Sequence, residues 1–141
     1  KTDINLCAEV PHITLKPHPW RRLKTPGSER QIPLVGASLW AAKRLLKLSP
    51  DTPLAIPKYC SEDGHKTNSA SAALNKWLKA NSPEGCVVHS FRHSMRDRLR
   101  AIECPFDVID QIGGWSTAGV GSGYGNGYTI EVLGSWMRGI E

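Results

Sequence analysis

Closely spaced cysteines are missing from this chain, and so are long apolar runs and any surplus of acid. The four cysteines, Cys7, Cys60, Cys86 and Cys104, lie far apart, with no Cys-x-x-Cys pair. Zinc sites draw on closely spaced ligand pairs, so the pattern predicts no metal centre. A chain of 141 residues with four cysteines also departs from disulfide-stapled scaffolds, which predicts reduced thiols in a cytoplasmic compartment. No apolar run approaches the roughly 18 residues of a membrane span, and no signal peptide is visible. The glycine-rich stretch near the C-terminal end is not followed by Gly-Lys-Ser/Thr, and no strand leads into it, which argues against a nucleotide-phosphate loop.

What is present is positive charge. Eighteen Lys and Arg stand against 13 Asp and Glu, a formal net charge of +5, and the sequence pI is ≈ 9.2. That balance favours an anionic partner. The hydrophobic fraction of 40% supports a sizeable core, and the length suits one domain spanning residues 1–141. Opening on Lys1 rather than Met predicts that the chain is a fragment.

Periodicity predicts a mainly α fold with a small antiparallel β-sheet near the N-terminus. His12 to Lys16 is a β-rich run between Pro11 and Pro17. Trp20 to Lys24, the turn signal Thr25-Pro26-Gly27-Ser28 and the run Arg30 to Leu34 read as a hairpin. Leu39, Ala42, Leu45 and Leu46 fall at helical spacing. Residues 49–66 read as a loop with a brief extended piece at Leu54-Ala55-Ile56. Ser69 to Lys79 predicts a helix with Ala73, Leu74, Trp77 and Leu78 as its apolar side, and Ser82 to Gly85 a turn. His89 to Ile102 carries two stripes: Phe91, Met95, Leu99 and Ile102 are apolar, and His89, Arg92, Arg96 and Arg100 are cationic. A short helix from Phe106 to Ile112 ends at Gly113-Gly114. Seven glycines occupy residues 113–127, too many for regular structure, and Thr129 to Ile140 predicts a last amphipathic helix.

Several residues could carry chemistry. His89 and Arg92, at i and i+3, can reach one ligand, and a position near a helix start favours an anion. An Arg fork and a His proton donor suit phosphate, although such pairs also decorate many solvated helix faces. His93, on the same helix, is expected as a buried hydrogen-bonding support. Tyr124 lies among glycines that suit a segment placing and withdrawing a side chain; a lone Tyr there is more often a packing residue. Lys24, at the hairpin turn, reads alone as surface charge. Arg21, Arg22, Arg30 and Lys66 are expected contacts to DNA phosphates, or else solvated charge.

Taken in order, Lys24, His89-Ser90-Phe91-Arg92-His93, Ile112-Gly113-Gly114-Trp115-Ser116 and Tyr124 resemble the catalytic domain of the tyrosine recombinases, the phage integrase family. Arg92 to Trp115 is 23 residues and Trp115 to Tyr124 nine, spacings similar to those of the family, and the resemblance covers nearly the whole chain. It implies site-specific cleavage and rejoining of DNA through a 3′-phosphotyrosine formed by Tyr124. Arg92 would clamp non-bridging phosphate oxygens, and His89 would assist proton transfer or hydrogen-bond the phosphate. Trp115 would donate its indole N–H or pack on the site, and Lys24 would act as general acid for the leaving 5′-oxygen. The implied partners are double-stranded DNA and a homotetramer on that DNA, in a bacterial cytoplasm, with no cofactor, metal or membrane. The last helix would pack at home or dock into a neighbouring protomer. A further family arginine, upstream of the first strands, has no match here, and the fragment is expected to be inactive or nearly so without it. Two alternatives share these residues: a type IB topoisomerase-like relaxation of supercoils, and a non-catalytic DNA-binding remnant. The short chain argues against the first, and the intact set of five residues against the second.

Overall fold

Proline placement shapes the first sheet. A computed structural model describes residues 1–19, 21–25, 28–48, 51–61, 64–115 and 127–141. Strand β2, His12–Leu15, runs between Pro11 and Pro17 as expected, and it is the central strand. It pairs antiparallel with the short β1, Ile4–Asn5, on one side. On the other it pairs with β3, Arg30–Pro33, in the register His12↔Pro33 to Leu15↔Arg30. Pro33 is tolerated because β3 is an edge strand.

The hairpin therefore differs from the sequence expectation. Its arms are 12–15 and 30–33, not 20–24 and 30–34. Pro17 and Pro19 remove ladder donors and stop β2 early, so the segment carrying Lys24 becomes a long connection. A small bridge between His18 and Arg21 and a turn in which Ser28 N–H donates to Thr25 O at 3.0 Å give it local order.

Five helices follow among the described residues: α1 Gly36–Leu48, α2 Thr67–Asn81, α3 Ser90–Ala101, α4 Phe106–Gly113 and α5 Ile130–Arg138. The brief extended piece expected at 54–56 is absent. A two-stranded ladder, β4 Cys60–Ser61 with β5 Gly64–His65, precedes α2 instead. The molecule is thus mixed, mainly helical, with the small antiparallel sheet near its start.

The core belongs to the C-terminal half. Leu99, Cys104, Val108, Ile109, Ile112, Leu133, Met137 and Ile140 form one buried cluster. It sits where α3 packs on α4, and where α4 and α5 pack on β3. Leu99 lies at the centre of its stripe, with Met95 and Ile102 packed beside it. Phe91, expected in that stripe, is 66% exposed, because core contact begins one turn later. On α2 the expected apolar side is open as well: Leu78 is buried, but Leu74 and Trp77 are 52% and 61% exposed. Periodicity predicts a face; burial needs a neighbouring element, and close packing is concentrated on β3, α4 and α5. All four cysteines are free thiols. Burial, with Asp107 second, pushes the Cys104 thiol up to about 11, so it fills space rather than acting as a nucleophile.

Leu99→Ala is expected to cost about 2–5 kcal/mol, since it opens a cavity at a fully buried site. Leu74→Ala should change stability by less than about 0.5 kcal/mol. Urea unfolding followed by circular dichroism measures both.

Candidate functional site

Two glycines make room for the site. Helix α4 ends with Gly114 in the left-handed region at φ 65°, and both Gly114 and Trp115 N–H donate back to Asp110 O. A Cβ at Gly113 would stand 1.8 Å from Trp115 Cζ3, and one at Gly114 would stand 2.4 Å from Arg30 Nη1. The chain can therefore fold the indole back over Gly113 and admit a guanidinium against Gly114 only without side chains at these positions. One part of Trp115 packs against the buried cluster. Its ring also carries Arg92 at 4.0 Å and Arg96 at 4.8 Å from the centroid, in cation–π geometry.

Arg92 reaches this ring because it lies seven residues, about two helical turns, before Leu99 and so shares its face. The start of α3 is held by two side chains. Asn75 Oδ1 accepts from Val88 N–H at 2.8 Å, and Ser90 Oγ accepts from Val87 N–H at 3.0 Å. Arg96 is steadied by Asp110, 3.7 Å away.

A cleft of about 650 Å³ opens over Trp115, lined by Lys24, Thr25, Ser28, Arg30, Arg92, Gly113, Gly114 and Trp115. Three of these residues are cations and none is a carboxylate. Lys24, Arg92 and Trp115, expected at one site from sequence, come together here. Arg30 joins them, a residue that sequence reasoning treated as a general phosphate contact. Its Nε donates to Ile112 O at 3.0 Å and its Nη1 to Ser28 O at 2.8 Å. Burial first, and the charge of Arg92 second, push its pKa below the ordinary arginine value. The contact to Ile112 crosses 82 positions of sequence, so no local pattern could reveal it.

His89 is not among the lining residues. It is the exposed N-cap of α3, its ring edge-on to His93 at 5.0 Å between centroids. His93 is exposed too, not the buried support expected, because it lies on a different helix face from Leu99. The α3 N-terminus thus holds Arg92 and two histidines with no acidic residue in its first turn. Cations at the positive end of a helix lower stability, and an anion placed there would offset that.

The other expected contacts lie elsewhere. Arg21 is engaged by Asp3 at 3.4 Å and by Lys16 O at 2.8 Å, in a cluster that includes His18 and Lys16. Arg22 is exposed, and Lys66 is exposed at the head of α2. Tyr124 lies outside the described residues. Tyr128, nearby in sequence, is clamped. Gln111 donates through Nε2 to Tyr128 O at 2.9 Å and accepts from Tyr128 N–H at 2.8 Å. The phenol donates to Asp107 Oδ2 at 2.7 Å, and that hydrogen bond first, with burial and charge adding, pushes its pKa up. Asp107 is six residues before Gly113, about 9 Å of helical rise from the cleft end of α4. A phenol held there is a poor nucleophile.

Among the described residues, no group of three or more His, Cys, Asp or Glu could hold a metal ion, and no helix is long and apolar enough to cross a membrane. Comparisons with protein-family models, with curated proteins and with solved structures find no match.

Gly114→Ala is expected to lower both stability and binding of a polyanion such as heparin, because Cβ would meet the Arg30 guanidinium. Thermal melting and a heparin-column elution shift check the two effects. An unchanged elution position would show that the cleft does not depend on this approach.

Proposed function

We propose that this chain is the catalytic domain of a site-specific DNA recombinase of the tyrosine type, with the fold of that family. One observation supports this reading above the rest. Lys24, Arg92 and Trp115, drawn from three separate stretches and ordered as in the family, line one cleft with no carboxylate among its described lining residues.

In the proposed reaction the Tyr124 phenolic oxygen attacks a backbone phosphorus. The P–O5′ bond breaks, a 3′-phosphotyrosine forms, and the 5′-oxygen leaves as a hydroxyl after taking a proton from Lys24. The phenolic proton passes to solvent or to His89. Attack by a 5′-hydroxyl on the phosphotyrosine reverses the step, so rejoining needs no ATP. Negative charge gathers on the non-bridging oxygens in the transition state, where fixed donors contribute most; one such donor is worth roughly 3–4 kcal/mol. Arg92, held on the indole of Trp115, is the donor best placed by its surroundings. A free tyrosine, with a pKa near ~10, attacks poorly at neutral pH until cations assist it. The proposed partners are double-stranded DNA and further copies of the chain assembled on it.

Two measurements test this reading. The full-length protein, with any residues upstream of Lys1, is incubated with nicked duplexes of randomised sequence, and adducts are resolved on a denaturing gel and mapped by mass spectrometry. A DNA adduct is expected on the peptide containing Tyr124, lost in Tyr124→Phe and kept in Tyr128→Phe. Survival of the adduct in Tyr124→Phe would refute the assignment, and DNA binding with no adduct from the unaltered chain would favour a non-catalytic DNA-binding module. Binding should also weaken steeply with salt. Three cleft cations neutralising phosphates predict a log–log slope of about −3, and a flat dependence would sink the electrostatic account.

A further inference from the structure

The resemblance assigns one arginine of this cleft to the phosphate, yet two guanidiniums line it. We propose that Arg30 is a second phosphate-binding guanidinium, acting with Arg92 on the non-bridging oxygens of the scissile phosphate.

Three arginines of this protein stand beside carboxylates. Arg21 faces Asp3, Arg96 faces Asp110 and Arg100 faces Asp97. Arg30 has no carboxylate partner among the described residues. Its anchors are two neutral carbonyls, Ile112 O and Ser28 O. Such anchors orient a guanidinium without neutralising it. They occupy two of its five N–H donors, and the remainder are available to a ligand in the cleft.

Arg30 is also half-buried beside a second uncompensated cation. The two charges of Arg30 and Arg92 disfavour each other, and among the described residues nothing negative lines the space they share. Like charges brought together at partial burial destabilise a fold unless an anion sits between them. The backbone is shaped to allow the approach, because Gly114 adopts a left-handed conformation and leaves room where a Cβ would strike Nη1 at 2.4 Å. A phosphodiester offers two non-bridging oxygens, and planar guanidinium forks match phosphate geometry. Arg30 enters from β3 and Arg92 from α3, so the anion would be held by two elements that are far apart in sequence. Lys24 stands at the same cleft, free for the leaving oxygen.

This inference rests on the reading that the cleft takes the scissile phosphate, and the experiment separates the two. The full chain is titrated with inorganic phosphate, with the Gly114 amide and the Trp115 indole followed by NMR. Arg30→Gln and Arg92→Gln are each expected to weaken phosphate binding by about tenfold or more. Lys43→Gln, at an exposed residue of α1 outside the cleft, should leave it unchanged. Low millimolar guanidinium, far below denaturing levels, should restore part of the affinity to Arg30→Ala. Unchanged affinity in Arg30→Gln, or a loss in Arg30→Ala that guanidinium does not repair while the fold is intact, would overturn the proposal. Arg30→Lys, which keeps the charge, covers the case in which the neutral variants do not fold; it should retain intermediate affinity, and wild-type affinity in it would count against a guanidinium fork.

On DNA, Arg30→Gln should slow adduct formation by roughly 10²–10³-fold at a phosphate. At one diastereomer of a methylphosphonate, which lacks one charged oxygen, the loss should be far smaller. Equal losses on both substrates would reduce Arg30 to a structural prop and overturn the proposal. Absence of any adduct in the unaltered full-length protein would refute the recombinase reading, and the phosphate titration would still decide whether Arg30 binds the anion.

Discussion

The stacking of Arg92 on the Trp115 indole is the contact from which the site is organised. At 4.0 Å from the ring centroid, the guanidinium is held flat without a carboxylate. A cation–π contact of this kind contributes about 0.5–2 kcal/mol, enough to favour one orientation while leaving the positive charge uncancelled. The ring itself is positioned by the core it partly packs against and by the missing side chain of Gly113. The hydrophobic cluster and the cleft are therefore one construction, with the same indole ending the first and flooring the second.

Positive charge is handled in two ways along this chain. Near the N-terminus, Lys16, His18 and Arg21 gather around Asp3, and the charges compensate locally. At the cleft, Lys24, Arg30 and Arg92 share a space lined by no acid among the described residues, and the first turn of α3 supplies none either. The first arrangement is self-contained. The second holds Arg30 with backbone carbonyls and Arg92 with an aromatic face, and no carboxylate among the described residues offsets them there. Uncompensated charge of this kind lowers local stability.

Much of this was legible from sequence, for reasons that differ by element. Helices α3, α4 and α5 keep their apolar spacing through Leu99, Ile112 and Leu133, and each meets a neighbour that buries these residues, though Phe91 and Phe106 at the helix starts stay exposed. Helix α2 has the same periodicity, yet Leu74 and Trp77 stay exposed, because spacing along a helix does not reveal what stands opposite. The hairpin was mispaired because the turn signal at Thr25–Ser28 is real but the arm before it is interrupted by Pro17 and Pro19. Lys24, Arg92 and Trp115 could be grouped only through the resemblance, whose order and spacing they share with the tyrosine recombinases. Arg30 could not, since its place depends on the Ile112 carbonyl and on the space at Gly114, neither of which has a local signature. His93 has no local signature for its exposure either: it follows from a face of α3, away from Leu99, that no described element covers.

Helix α4 has one further consequence. Trp115 N–H is bonded to Asp110 O, and the backbone of Tyr128 is gripped by the side chain of Gln111. Trp115 and Tyr128 are thus tied to adjacent residues of one short helix. Closing a loop costs only about 0.6 kcal/mol more for each doubling of its length. The rest of the fold is accordingly almost indifferent to how many residues lie between those two anchors.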